Sequence, residues 1–90
     1  MNIDFLKKAG CLDIIMYLDN LRPRQDCLTG IMEGANLNSS TATSAVTLLL
    51  SDGLLSEERG KYNTRYLTLT NTGKKVARIL GTLESMEKED

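Results

Sequence analysis

Arg59, Lys61 and Arg65 fall within seven residues of one another, interleaved with Tyr62 and Asn63 and following Gly60. Guanidinium and ammonium groups bind anions, and a phenol and an amide beside them add stacking and hydrogen bonds. The cationic tract continues: from Arg59 to Leu83 there are six basic residues, with Lys74, Lys75 and Arg78 completing the set, and no acidic one. The segment Glu84-Ser85-Met86-Glu87-Lys88-Glu89-Asp90 then carries four acids and one base. A formal net charge of −1 conceals this polarity. The local distribution sets the field a partner meets, and here it favours an anionic partner on one side.

A second set of polar groups is neutral. Ser39, Ser40, Thr41, Thr43, Ser44 and Thr47 crowd into nine residues, and no charged residue occurs from Gly34 through Ser51. Small hydroxyls donate and accept hydrogen bonds while allowing a partner to approach closely. They do not amount to catalysis. The chain has no histidine, so His-based general acid, base or nucleophile pairings are missing, and no glycine-rich phosphate loop has a recognised spacing. Cys11 and Cys27 form no CxxC and lie in apolar patterns, which suits buried small hydrophobes better than a metal or redox centre. The expectation is a protein that is not an enzyme and holds no metal and no cofactor.

Ninety residues make one domain at most. Its core is small, so a shared interface would help it appreciably. Apolar content of 41% is that of a globular protein, and no apolar run approaches the length of a bilayer span. The N-terminus lacks the basic leader and long apolar core of a signal peptide. A reduced cytoplasm and no membrane partner are therefore expected.

Hydrophobic spacing places the elements that must position these groups. Residues 4–21 read as a first helix, with Gly10 marking a kink or a late start. Phe5, Ala9, Leu12, Ile15 and Met16 lie near one face and Ile14, Leu18 and Leu21 on the other. A small monomer has difficulty burying both sides, which hints at dimerisation. Arg22-Pro23-Arg24 ends that helix. Leu28, Ile31, Met32 and Ala35 mark a second over 26–35, weakened by Gly30 and Gly34. Ala35-Asn36-Leu37-Asn38 is a turn, with Leu37 plugging the core and Asn38 as N-cap. The third helix, 39–51, buries Ala42, Ala45, Val46 and Leu49 and turns Ser40, Ser44, Thr47 and Ser51 outward. Asp52-Gly53 stops it, with glycine in the left-handed position. Strands over 54–58 and 65–70 flank a hairpin loop at 59–65. Thr70 or Asn71 caps a last helix near 71–87 with the stripe Val76, Ile79, Leu80, Leu83 and Met86.

The order Asn36-Leu37-Asn38, Leu49 with Asp52-Gly53-Leu54-Leu55, then Tyr66-Leu67-Thr68-Leu69-Thr70-Asn71-Thr72-Gly73-Lys74, resembles the winged helix-turn-helix superfamily of prokaryotic transcriptional regulators. It is most similar to the small archaeal winged-helix proteins, some of which dimerise through a C-terminal helix. The resemblance implies an α+β, mostly helical fold: a single winged-helix domain over 1–90, with 71–88 as a C-terminal dimerisation helix. It implies that 39–51 is the recognition helix and 59–65 the wing. Double-stranded DNA binding is then the expected function, through Ser39, Ser40, Thr41, Thr43, Ser44 and Thr47 on the helix and Arg59, Lys61, Tyr62, Asn63 and Arg65 on the wing. The expected homodimer seam is Val76, Ile79, Leu80, Leu83 and Met86. One feature departs from the superfamily's habit: its recognition helices often carry Arg, Lys, Gln or Asn, and this one offers only Ser and Thr. Hydroxyls contact bases or phosphates with little discrimination. The competing class is a winged helix that contacts a protein through this neutral face and binds no DNA.

Overall fold

Gly10 divides the first apolar segment instead of kinking a single helix. In the computed structural model, which describes residues 4–88, Asp4–Leu6 form one 3-10 turn and helix α1 runs over Cys11–Asp19. Gly10 sits between them at φ +89°, a backbone that side-chain-bearing residues avoid. The late start is the correct reading, and a continuous helix over 4–21 is not formed.

Helix α1 is central, which is why most of its residues are apolar, with Asp13 left on its exposed side. Cys11, Ile14, Ile15 and Leu18, spaced i, i+3, i+4, i+7, are buried. Leu12 and Met16 are half-buried and Leu21 packs against the core from the end of the helix. The side of Ile14, Leu18 and Leu21 is thus covered within the chain, whereas on the other side Ala9 is exposed and Leu12 and Met16 stay partly open. Burial pushes the Cys11 thiol above its ordinary pKa.

After Pro23 the chain forms a strand that periodicity did not reveal. Strand β1, Gln25–Cys27, pairs antiparallel with β3, Arg65–Leu69, so helix α2 starts at Leu28 rather than near Asp26 and ends at Gly34. Three residues are too few to show alternation, and pairing to a distant strand makes this one. Strand β2, Leu55–Arg59, lies on the other edge, giving the order β1-β3-β2. The glycines of α2 have a packing role. The Tyr17 hydroxyl donates to Asp26 Oδ2 at 2.6 Å, and the Cys27 N–H donates to Oδ1 at 2.7 Å. The carboxylate lies over Gly30 and the Tyr17 ring over Gly34, where any Cβ would overlap them. The hydrogen bond to Asp26, with burial second, raises the Tyr17 phenol above its ordinary pKa.

Local capping fixes the helix-turn-helix. Helix α2 ends in a Schellman motif: Leu37 N–H donates to Met32 O at 2.9 Å and Asn36 N–H to Glu33 O at 3.3 Å, with Asn36 at φ +56°. Leu37 then packs against the core, and Asn38 Oδ1 accepts from Thr41 N–H at 2.8 Å to start α3, Ser39–Ser51. The same motif ends α3. Leu54 N–H donates to Leu49 O at 2.9 Å and Gly53 N–H to Leu50 O at 3.2 Å, with Gly53 at φ +78°.

Helix α4, Asn71–Lys88, is tied to the start of β2 by one residue. Thr70 Oγ1 accepts from Gly73 N–H at 3.0 Å as its N-cap and donates to Gly53 O at 2.6 Å. Gly73 is buried where a Cβ would run into the Leu54 carbonyl oxygen, with Leu69 Cδ2 at 3.0 Å. Backbone cannot step aside as a flexible side chain can. Gly73→Ala is therefore expected to destabilise the fold by roughly 1–3 kcal/mol, read by urea denaturation, whereas Gly81→Ala, with open space around it, should not. Among the described residues no helix is long and apolar enough to cross a membrane.

Candidate functional site

The packed face of α3 determines what its other face can offer. Ala42, Ala45, Val46 and Leu49 are buried, so Ser39, Ser40, Thr43, Ser44 and Thr47 are turned outward and exposed. Thr47 Oγ1 donates back to Thr43 O at 2.9 Å, leaving its lone pairs and methyl for a partner. Thr41 departs from the sequence reading. It is half-buried near Gly10, whose Cβ, were there one, would meet Thr41 Cγ2 at 3.1 Å. Its part is to take the Asn38 cap through its N–H.

The wing is a β-hairpin with a defined tip. The register sets Leu55 opposite Leu69, Glu57 opposite Leu67 and Arg59 opposite Arg65. Side chains alternate along a strand, so Glu57, Arg59 and Arg65 share the sheet face of Leu55, Leu67 and Leu69, the face the helices cover. Two arginines directly opposite would repel, and each has found a partner. Arg65 Nε pairs with Glu57 Oε1, and Arg59 Nη1 donates to Asn63 O at 3.0 Å.

Thr64 N–H donates to Lys61 O at 3.2 Å and Gly60 N–H to Thr64 O at 2.9 Å. Tyr62 has φ 57° and ψ 27° and Asn63 has φ 61°, both left-handed. Two such residues inside a four-residue turn make a type I′ turn, the geometry whose twist matches a hairpin. Its tip carries Tyr62, 98% exposed. On the outer face the Tyr66 ring presses on Gly60, where a Cβ would overlap it. The loop at 59–65 is thus a braced turn.

Apart from Thr41, the sequence-predicted DNA-facing groups divide two ways. Five hydroxyl residues of α3 and Arg59, Lys61, Tyr62 and Asn63 are exposed together on the α3 and wing elements. Arg65 is half-buried and its charge is engaged by Glu57. A basic tract counted from Arg59 omits Glu57 and Glu58 of β2, which precede it; alternation in the strand is the signal that sets Glu57 beside Arg65. Among the described residues the ion pairs are Arg24–Asp19, at 2.9 Å, and Arg65–Glu57, so Arg59, Lys61, Lys74, Lys75 and Arg78 have no acidic partner there.

The α4 stripe also splits. Val76 is buried and Leu80 half-buried against the core, so Val76 presents little surface to a second copy and Leu80 only part of its own. Ile79, Leu83 and Met86 remain 61%, 56% and 62% exposed. At about 100° per residue they form a strip on the flank of the side that carries Gly73, Val76 and Ala77, with Leu83 nearest to that side.

No protein-family model matches the chain, and no curated protein is similar enough in sequence to match it. Solved structures do match in fold. MepR of Staphylococcus aureus, a transcription regulator of the multidrug efflux pump MepA, superposes with a TM-score of 0.78 at 15% identity over 89% of this chain and 60% of its own. The present chain thus spans about 60% of MepR's length. Sso10a-2, a DNA-binding protein of Sulfolobus solfataricus, gives a TM-score of 0.71 at 19% identity over 86% of this chain and 80% of its own. AF1382 of Archaeoglobus fulgidus gives 0.79 at 21% identity, over 98% of both chains. Together with the helix-turn-helix and the β2–β3 hairpin, these likenesses establish a winged-helix fold with a C-terminal helix.

Proposed function

We propose that this winged-helix chain binds double-stranded DNA through α3 and the wing, as a small transcriptional regulator or architectural protein. The observation that carries the reading is a charge-free, hydroxyl-lined helix face beside a hairpin with exposed Arg59 and Lys61. A helix without carboxylates enters a groove unopposed by the phosphates, and the wing cations follow the backbone. Serine and threonine hydroxyls then contact phosphates or base edges and position the helix more than they specify sequence. Fold likeness to a transcription regulator and to a DNA-binding protein supports the same reading.

One observation favours the competing protein-contact reading: the wing base carries Glu57 and Glu58, and Glu57 takes up the charge of Arg65. A salt series separates the two. Binding of a fluorescent duplex is expected at low salt, with log K falling linearly in log salt by about 0.9 per phosphate neutralised. No anisotropy change with any duplex at low salt would turn the function toward a protein partner on the neutral face of α3.

The same proposal includes a homodimer. Ile79, Leu83 and Met86 form an exposed apolar strip that a second copy can cover with its own, in an isologous contact. Two-fold pairing would set two α3 helices on half-sites about one DNA turn apart. Val76 and Leu80 take part mainly by holding α4 to its own subunit.

A further inference from the structure

Tyr62 stands where the wing's geometry asks for a different residue. A type I′ turn favours Asn or Asp followed by Gly, because both central residues are left-handed and a bulky side chain there is strained. This chain puts Tyr62 at φ 57° and Asn63 at φ 61°, so the preferred Asn comes second and an aromatic residue comes first. The ring gains nothing from packing, being 98% exposed. Around it the hairpin is held firm by Arg59 Nη1 to Asn63 O, Gly60 N–H to Thr64 O, and the Tyr66 ring on Gly60. A strained, rigid turn that presents an unburied ring beside Arg59 and Lys61 has the parts of a wedge. On a duplex the cations would hold the phosphate backbone, and the exposed ring at the tip would be free to enter the groove beside it.

On the reading that the chain binds duplex DNA, we propose that Tyr62 is a stacking wedge that enters the minor groove and opens a base step. Specificity then comes from deformability rather than from base hydrogen bonds. The step is easiest to open at pyrimidine–purine sequences such as TpA and CpA, and the narrow A·T-rich minor groove draws the flanking cations. This gives a chain whose recognition helix bears only hydroxyls a way to prefer one duplex over another at positions α3 does not read.

The test uses a duplex of about two turns with 2-aminopurine in a central TpA step, read by fluorescence for unstacking and by anisotropy for binding. A G·C-rich duplex lacking such steps is the comparison. Wild type is expected to bind the TpA duplex and raise its 2-aminopurine fluorescence severalfold, and Tyr62→Phe should do the same. Tyr62→Ala and Tyr62→Asn should still bind but lose the rise, and lose roughly five- to a hundredfold in affinity for the TpA duplex, with the salt slope unchanged. Asparagine suits this turn position better than tyrosine, so Tyr62→Asn should melt no lower than wild type, and its loss cannot be assigned to a collapsed wing. Wild-type binding without a fluorescence rise, or a rise kept by Tyr62→Ala, overturns the wedge and leaves DNA binding standing. No anisotropy change with either duplex overturns DNA binding and the wedge with it.

Discussion

Replacing Arg59 and Lys61 together by alanine is expected to weaken duplex binding roughly a hundredfold at about 0.1 M salt for each subunit on the duplex, and to make the salt dependence shallower by about 1.8 log units per decade per subunit, about 3.6 for a homodimer. Each subunit would then neutralise two fewer phosphates, and each phosphate contributes about 0.9 to the slope. Both residues are exposed and neither has an acidic partner among the described residues. Arg65→Ala should do much less, because its guanidinium is already held by Glu57. Glu57→Gln should strengthen binding, since it frees Arg65 and removes a carboxylate from the wing. Anisotropy titrations of the variants across a salt series read all of these effects. A double variant that binds as wild type would move the DNA-facing surface off the wing. A Glu57→Gln variant that binds more weakly would show that the ion pair shapes the hairpin more than it masks charge.

The second large effect is expected on α4. Leu83→Lys should convert a homodimer to a monomer and lower duplex affinity with it. A lysine in the middle of the strip cannot be desolvated against a second apolar surface without a partner for its charge. Apolar area covered in a dimer contributes about 25 cal/mol per Å² before the cost of association, so losing the central residue of three removes a large share of the gain. Leu83 is 56% exposed and only edges the α1 side of the helix, where Leu12, Met16 and Leu80 lie. The variant should therefore keep its helix content and melt as a folded monomer. Val76→Lys is the contrasting case: it would strike the core and unfold the domain. Sedimentation over a concentration range, with circular dichroism on the same samples, decides the matter. A wild-type chain that remains monomeric at high concentration would remove the dimer from the proposal.

Much of this architecture was legible because it is written locally. The α2–α3 turn rests on Asn36, Leu37 and Asn38, and each acts through atoms within a few residues of itself. The stop at Gly53 and the cap at Thr70 are equally local. A helix period long enough to count, as in α3, shows its buried and exposed faces directly from the spacing of Ala42, Ala45, Val46 and Leu49. The exposed hydroxyl face followed from that, and so did the place of the wing cations.

The features that stayed hidden share one cause. Strand β1 exists because Gln25–Cys27 found β3 about forty residues later, and nothing inside three residues announces a partner at that distance. The surround of α1 was equally out of reach, and an apolar helix reads as two-sided until the elements that cover it are in place.

Where α3 and α4 start, where α3 stops, which of its residues face outward, and that a basic hairpin follows it can all be read from the order of residues. Capping, turn chemistry and periodicity act over one to four residues, so the order of residues is enough to set them. Packing of the whole chain was needed to set Glu57 against the charge of Arg65, and to bury Val76 and half-bury Leu80 while Ile79, Leu83 and Met86 stay exposed. The left-handed turn that holds Tyr62 clear of the protein was equally beyond a reading along the chain. Each of these depends on strand register or on the angle at which one element meets another. Those are set by the packing of the whole core, which no window along the chain contains.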